Sequence, residues 1–311
     1  VEKDISEVFS GWDRNYGEQT LPVVVYHRRR SPTWLENLLD DPGDADDPVG
    51  DWYVTWVSGE YLEITDAQIK SLDKLVNLEY MRIRGESVEN PGPEHLIDLT
   101  SPGQLVAIGF TDATVEHLKD VKNITVLRLF DDVRGPTTFT DAGLEHLKGM
   151  TDLRSLYLEC KSITDAGLIH LNELSALENL SVSHVAVTDA GLMHLEDMPN
   201  LRSLVIFSHQ ITDVGLAHLK KLTSLRNLDV NCHIVTDVGV KEVSELPYLR
   251  NLRMRSNHLT SDCLKHVGRM PNLCFLYLDS PKISREDLKQ LEKTLPFCHV
   301  FPPGTVWEGF W

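Results

Sequence analysis

The side chains best suited to chemistry recur at fixed intervals. His95, His117, His146, His170, His194, His218 and His266 all hold one place in a repeating pattern. Imidazole titrates near neutral pH and is a common transition-metal ligand, so a file of histidines suggests a metal-binding or pH-sensing ladder. Ligation also needs carboxylates or thiolates converging on the same point, and the spacing supplies none. The competing reading places each histidine at the edge of an apolar stripe, roughly 70° from its centre. There it buries a ring edge and donates to a loop carbonyl. We adopt that reading, because the repetition of histidine follows from the repetition of the chain. Protonating the whole file is costly either way, which predicts acid sensitivity.

Carboxylates recur as well. Asp141, Asp165, Asp189, Asp213 and Asp237 each follow a threonine. They are spaced as helix caps, one per unit, and none faces a second carboxylate within its own unit, so paired-acid catalysis is not indicated. The acidic stretch from Asp40 to Asp47 suggests calcium, but it lacks the D-x-D-x-D-G-x5-E spacing and reads as a solvated loop. Phosphate-loop, nucleophile-elbow, HExxH and dinucleotide-binding motifs are all missing from the sequence. The five cysteines include no CxxC pair. Cys160 and Cys232 lie three units apart, about 14 Å at strand spacing, too far to bridge. Cys274 and Cys298 occupy equivalent places in adjacent units and can approach one another.

The elements that position these residues follow one period. Units begin at Ile64, Val88, Phe110, Phe139, Ile163, Val187, Ile211, Val235, Leu259 and Ile283, and from Phe139 onward every step is 24 residues. In the unit from Ile163, Leu168, Leu171 and Leu174 form one helical stripe. Gly167 shares that face and lets the helix start lie close to the sheet. Leu177, Leu180 and Val182 then point inward from a strand. A single unit cannot bury its apolar face, whereas stacked units share a continuous core. The irregular units are those from Val88, with 22 residues, and from Phe110, with 29, the latter lengthened by Asp131–Thr138. Such insertions often lie beside a binding region.

Residues 1–63 do not repeat and read as an N-terminal cap. Leu21–Tyr26 and Asp51–Val57 are strand-like, and Pro32–Leu39 is helix-like. Residues 64–300 form the repeat region. Residues 301–311, with Trp307, Phe310 and Trp311, read as an aromatic lid on the last unit. The net charge of −17 opposes nucleic-acid binding and suits a basic partner or simple solubility. No apolar run is long enough to span a membrane, and the start at Val1 leaves open what precedes it.

Leu249-x-x-Leu252-x-Met254-x-x-Asn257-x-Leu259 fits the LxxLxLxxNxL consensus. Together with ITDAGLxHL it resembles the tandem leucine-rich repeats of bacterial proteins, themselves similar to the cysteine-containing type found in F-box substrate receptors. The resemblance covers about residues 64–300. It implies an α/β leucine-rich-repeat solenoid, a horseshoe with a parallel sheet on the concave face and helices on the convex face. It implies no particular activity and no cofactor. His233 and Asn257 fill the place usually held by Cys or Asn. No F-box-like segment precedes the repeats, which opposes a ubiquitin-adaptor role. Similar bacterial proteins often carry an export or membrane segment, implying an extracytoplasmic location.

On this fold the residues beside the inward leucines face solvent on the concave sheet. They include Tyr80, Arg82 and Arg84, then Arg128, Phe130, Tyr157 and Glu159. Asn179, His184, Phe207, Asn227 and Asp229 follow, then Arg253, Arg255, Phe275, Tyr277 and Asp279. Exposed Arg, Tyr and Phe are the types enriched at interaction hot spots. The sequence therefore points to a non-enzymatic module binding a protein or peptide through Arg82, Arg84, Arg128, Phe130, Tyr157 and Glu159. The alternative is a metal- or ligand-binding protein using the histidine file or the acidic loop.

Overall fold

Each unit folds in two halves because its apolar period changes along the chain. Helical spacing buries Leu168 and Leu171, and strand alternation then buries Leu180 and Val182. The computed structural model describes residues 24–26, 56–58, 80–84, 103–121, 123–131, 139–183 and 185–301. Its strands are β1 (Val24–Tyr26), β2 (Trp56–Ser58), β3 (Tyr80–Arg84), β4 (Gln104–Ile108), β5 (Val126–Phe130) and β6 (Ser155–Glu159). They continue with β7 (Asn179–Ser183), β8 (Ser203–Phe207), β9 (Asn227–Asn231), β10 (Asn251–Arg255), β11 (Phe275–Asp279) and β12 (His299–Phe301).

The 12 strands lie in sequence order in one open sheet, and the paired neighbours are parallel. The two strand-like runs of the N-terminal segment are therefore part of the sheet as β1 and β2. The predicted helix at Pro32–Leu39, the acidic loop, most of the inserted loop and the aromatic tail beyond Phe301 lie outside the described residues.

Short helices back the sheet, among them α1 (Asp112–Glu116), α2 (Asp141–Glu145), α3 (Asp165–Leu168), α4 (Asp189–Met193), α5 (Asp213–His218) and α6 (Asp237–Val243). Threonine begins each of them. Thr164, in extended conformation, accepts from the Ala166 N–H at 3.3 Å, and the equivalent threonines of α2, α4, α5 and α6 do the same two residues on. The last helix, Arg285–Thr294, drops this device for a reciprocal capping box between Ser284 and Asp287.

The aspartates do something the sequence did not reveal. Asp165 reaches into the next unit, where Thr188 donates its N–H to Oδ1 at 2.7 Å and its hydroxyl to Oδ2 at 2.6 Å. The same two bonds, at 2.5–2.8 Å, join Asp112 to Thr140, Asp141 to Thr164, Asp189 to Thr212, Asp213 to Thr236 and Asp237 to Thr260. Each carboxylate is thus a clamp between units rather than a cap within one. Charge-assisted bonds of this kind are the stronger class.

This ladder corrects the expected role of glycine. A methyl group on Gly215 would stand 2.3 Å from Asp189 Oδ1, and one on Gly167 would stand 2.3 Å from Asp141 Oδ1. The glycine makes room for the preceding unit's carboxylate, not for the sheet. Cys263 takes the glycine's place in a later unit. There the turn Ser261–Cys263 is a 3₁₀ helix, while Asp237 still holds Thr260.

The turn after each strand carries a second tie. Ser208, Ser256 and Ser280 are buried and donate to the carbonyls of Val187, Val235 and Leu259, at 2.6, 2.5 and 2.6 Å. Cys160 and Cys232 hold the same place, also buried. His233 and Asn257, expected there, are exposed one residue later. A buried carbonyl needs a donor, and the first residue past the strand is the one that turns inward to supply it.

Candidate functional site

Strand pairing without register slips aligns outward residues into columns. The third positions run Arg82, Val106, Arg128, Tyr157, Ser181 and Val205, then Asp229, Arg253 and Tyr277. The fifth positions include Phe130, Glu159, Ser183 and Phe207. Four residues predicted to bind a partner therefore meet. The Arg128 guanidinium lies over the Tyr157 ring, 4.3 Å from its centroid, and Phe130 pairs with Glu159 beside them. Arg82 stands on the same column but two strands away, beyond the buried Val106. The backbone of Arg84 is in β3, and its side chain lies outside the described residues, as does His184.

Arg128, Phe130, Tyr157 and Glu159 form one side of a depression of about 300 Å³. Its floor is Ser181, Ser183 and Val205, and its far side is Phe207, Asp229 and Arg253. The depression exists because small side chains on β7 sit between larger ones on β6 and β8. Its size is at the lower end for small-molecule sites and suits one or two inserted side chains.

The far side corrects an expectation. Asp229 and Tyr277, expected to face solvent, are only 3% and 1% exposed. Neighbouring strands are about 4.8 Å apart, so a long side chain on one strand covers shorter ones on the next. Arg253 does this. It donates to Asp229 at 3.2 Å, and its guanidinium lies 5.3 Å from the Tyr277 ring centroid. Burial pushes the Asp229 carboxyl up to about 6, against the pull of Arg253 and Arg255. Arg255 in turn donates to Asp279 at 2.8 Å.

The histidine file runs along the helical side. His117, His146, His170, His194, His218 and His266 are half-buried, and His95 lies outside the described residues. His218 meets a carboxylate rather than a loop carbonyl, with Nδ1 2.6 Å from Glu196 Oε1. Among the described residues no three His, Cys, Asp or Glu side chains converge as a metal site.

All five thiols are free. Burial pushes Cys232 and Cys263 up to about 12 and Cys298 up to about 11, and it raises Cys160 further. Such thiols stay protonated and unreactive at neutral pH. The sequence placed Ser181, Ser183 and Arg253 at exposed strand positions but did not join them to the Arg128 cluster. Their shared strand position was legible, but the depression comes from differences in side-chain size between adjacent strands.

An open parallel sheet, short helices on one face and a leucine at the first inward position of every strand from β4 to β11 define a leucine-rich-repeat solenoid. The chain belongs to the leucine-rich repeat region family, whose description matches residues 60–301. Among solved structures it is similar to an internalin (inlF) of Listeria monocytogenes, with 21% identity and a TM-score of 0.53. That match covers 81% of this chain and 65% of the internalin, so the chain spans less than two thirds of that protein's length. An internalin C2 of the same organism aligns at 19% identity and a TM-score of 0.49, covering 69% of this chain and 83% of the other. A leucine-rich repeat protein of Leptospira interrogans aligns at 18% identity and a TM-score of 0.47, covering 82% and 59%. At these identities the likeness is one of fold. No curated protein matches the chain. No helix among the described residues is long and apolar enough to cross a membrane.

Proposed function

We propose that this protein is a non-enzymatic interaction module that holds a protein or peptide partner on its concave sheet face. Leucine-rich repeat solenoids serve in general as protein-interaction modules. The observation that carries the reading is the cluster of Arg128, Tyr157, Phe130 and Glu159 at the edge of a depression on the sheet face opposite the helices. Arg and Tyr are the residue types that anchor interfaces, and a concave site with apolar and charged walls gives an inserted side chain both burial and orientation. Arg82 extends the same face toward β3, and Arg84, two residues further along that strand, completes the proposed contact set.

The test is charge reversal. Arg82→Glu with Arg128→Glu abolishes capture of the partner from a lysate of the source organism and leaves the melting temperature unchanged. Lys119→Glu, on the helical side, retains capture. The opposite pattern, with loss on Lys119→Glu alone, moves the site to the convex face.

A further inference from the structure

We propose that the depression floored by Ser181 and Ser183 is a subsite for a carboxylate side chain of an extended acidic segment in the partner, with Arg128 as its clamp. The proposal rests on the concave-face reading and adds the partner's chemistry. Arg253 is committed to Asp229 at 3.2 Å, and Arg255 to Asp279 at 2.8 Å. Arg128 lines the same depression, yet it has no carboxylate partner among the described residues. Its contact is the face of Tyr157, and its Nε is buried without a hydrogen-bond acceptor. With no carboxylate of its own, the half-buried guanidinium offers its terminal N–H groups to an incoming oxygen.

The contact with the Tyr157 ring also fixes where the guanidinium sits. A planar fork of donors matches a planar carboxylate in a bidentate arrangement, which a lysine cannot reproduce. The half-buried hydroxyls of Ser181 and Ser183 have no hydrogen-bond partner among the described residues and supply further donors on the floor. Glu159 and Asp229 on the lining oppose a dianion more than a single charge, which favours a carboxylate over a phosphate. The segment is extended because the columns repeat at strand spacing.

Acetylated hexaglutamate carrying a fluorophore is the probe, with hexalysine as its counterpart, and anisotropy is read on the full chain at low and physiological salt. Hexaglutamate binds, and binding weakens with salt. Arg128→Ala weakens it about tenfold or more, Arg128→Lys weakens it less, and Ser181→Val with Ser183→Val weakens it about threefold. Lys289→Ala, on the last helix, leaves it unchanged. Circular dichroism confirms that each variant is folded, and the Arg128→Lys and serine variants carry the test if Arg128→Ala is not. Failure of hexaglutamate to bind at millimolar concentration, or binding that survives the folded Arg128 variants, overturns the subsite. Hexalysine binding that is lost on Glu159→Gln overturns the carboxylate assignment while leaving the concave-face reading, which the Arg82/Arg128 charge reversal tests separately.

Discussion

The clamp between units makes Gly215→Ala a revealing substitution. In an ordinary helix that change stabilises by about 1 kcal/mol, because alanine is the better helix former. Here the new methyl group would stand 2.3 Å from Asp189 Oδ1, and its three nearest atoms all belong to Asp189. With the α-helical start kept, which the turn at Cys263 gives up for a 3₁₀ helix, the carboxylate swings away and releases Thr212, which donates its N–H at 2.8 Å and its hydroxyl at 2.6 Å. Hydrogen bonds to charged groups contribute about 1.5–3 kcal/mol each, so losing both outweighs the helix gain, and Gly215→Ala costs about 2–5 kcal/mol net. Asp189→Ala loses the same two bonds directly and costs a similar amount. The double variant has nothing left to displace. It is therefore no less stable than Asp189→Ala alone, giving a coupling energy of about 3 kcal/mol. Urea denaturation of the four proteins, followed by far-UV circular dichroism, measures the cycle. A stabilising Gly215→Ala, or a cost that persists undiminished in the Asp189→Ala background, refutes the account of the ladder.

Asp229 gives a pH prediction. Its folded pKa of about 6 lies above the ordinary 3.8, so the fold favours the neutral carboxyl. That contribution is complete below about pH 4 and is lost as pH rises through 6, where ionisation costs about 3 kcal/mol. Asp229→Asn is accordingly more stable than wild type at pH 7.5, by up to that amount, and equal to it near pH 4; a less stable variant at pH 7.5 contradicts this. Protonating Asp229 also releases Arg253, so hexaglutamate binds more tightly at pH 5.5 than at 7.5, and Asp229→Asn removes the difference. A thiol reagent modifies the exposed Cys274 in the native protein, while Cys160, Cys232 and Cys263 react only on unfolding; mass spectrometry of the labelled sites distinguishes the two groups.

The period of the sequence specified the units, their strands and the inward leucines, because a 24-residue repeat leaves one way to bury Leu168, Leu171, Leu180 and Val182 together. It also marked Thr164–Asp165 as a helix start, and the structure gives the cap to Thr164. What it concealed were contacts between units. Asp165 and Thr188 are 23 residues apart, and only the stacking distance shows that one carboxylate spans both donors. The role of glycine was hidden for the same reason, since the obstructing atom belongs to the unit before. At the site, position along the strand identified Arg128, Phe130, Tyr157 and Glu159 as neighbours. It misjudged Asp229 and Tyr277, because alternation says which face a side chain points to, but not whether a neighbouring arginine covers it there.

The most direct test of the concave-face reading is site-specific photocrosslinking in a lysate of the source organism. A benzophenone amino acid replaces Phe207 in the depression or Val214 on the helical side, where the native side chain is 63% exposed. The account predicts one discrete protein adduct from position 207, lost when Arg82 and Arg128 are charge-reversed, and none from position 214. An adduct from position 214 with none from position 207 contradicts it.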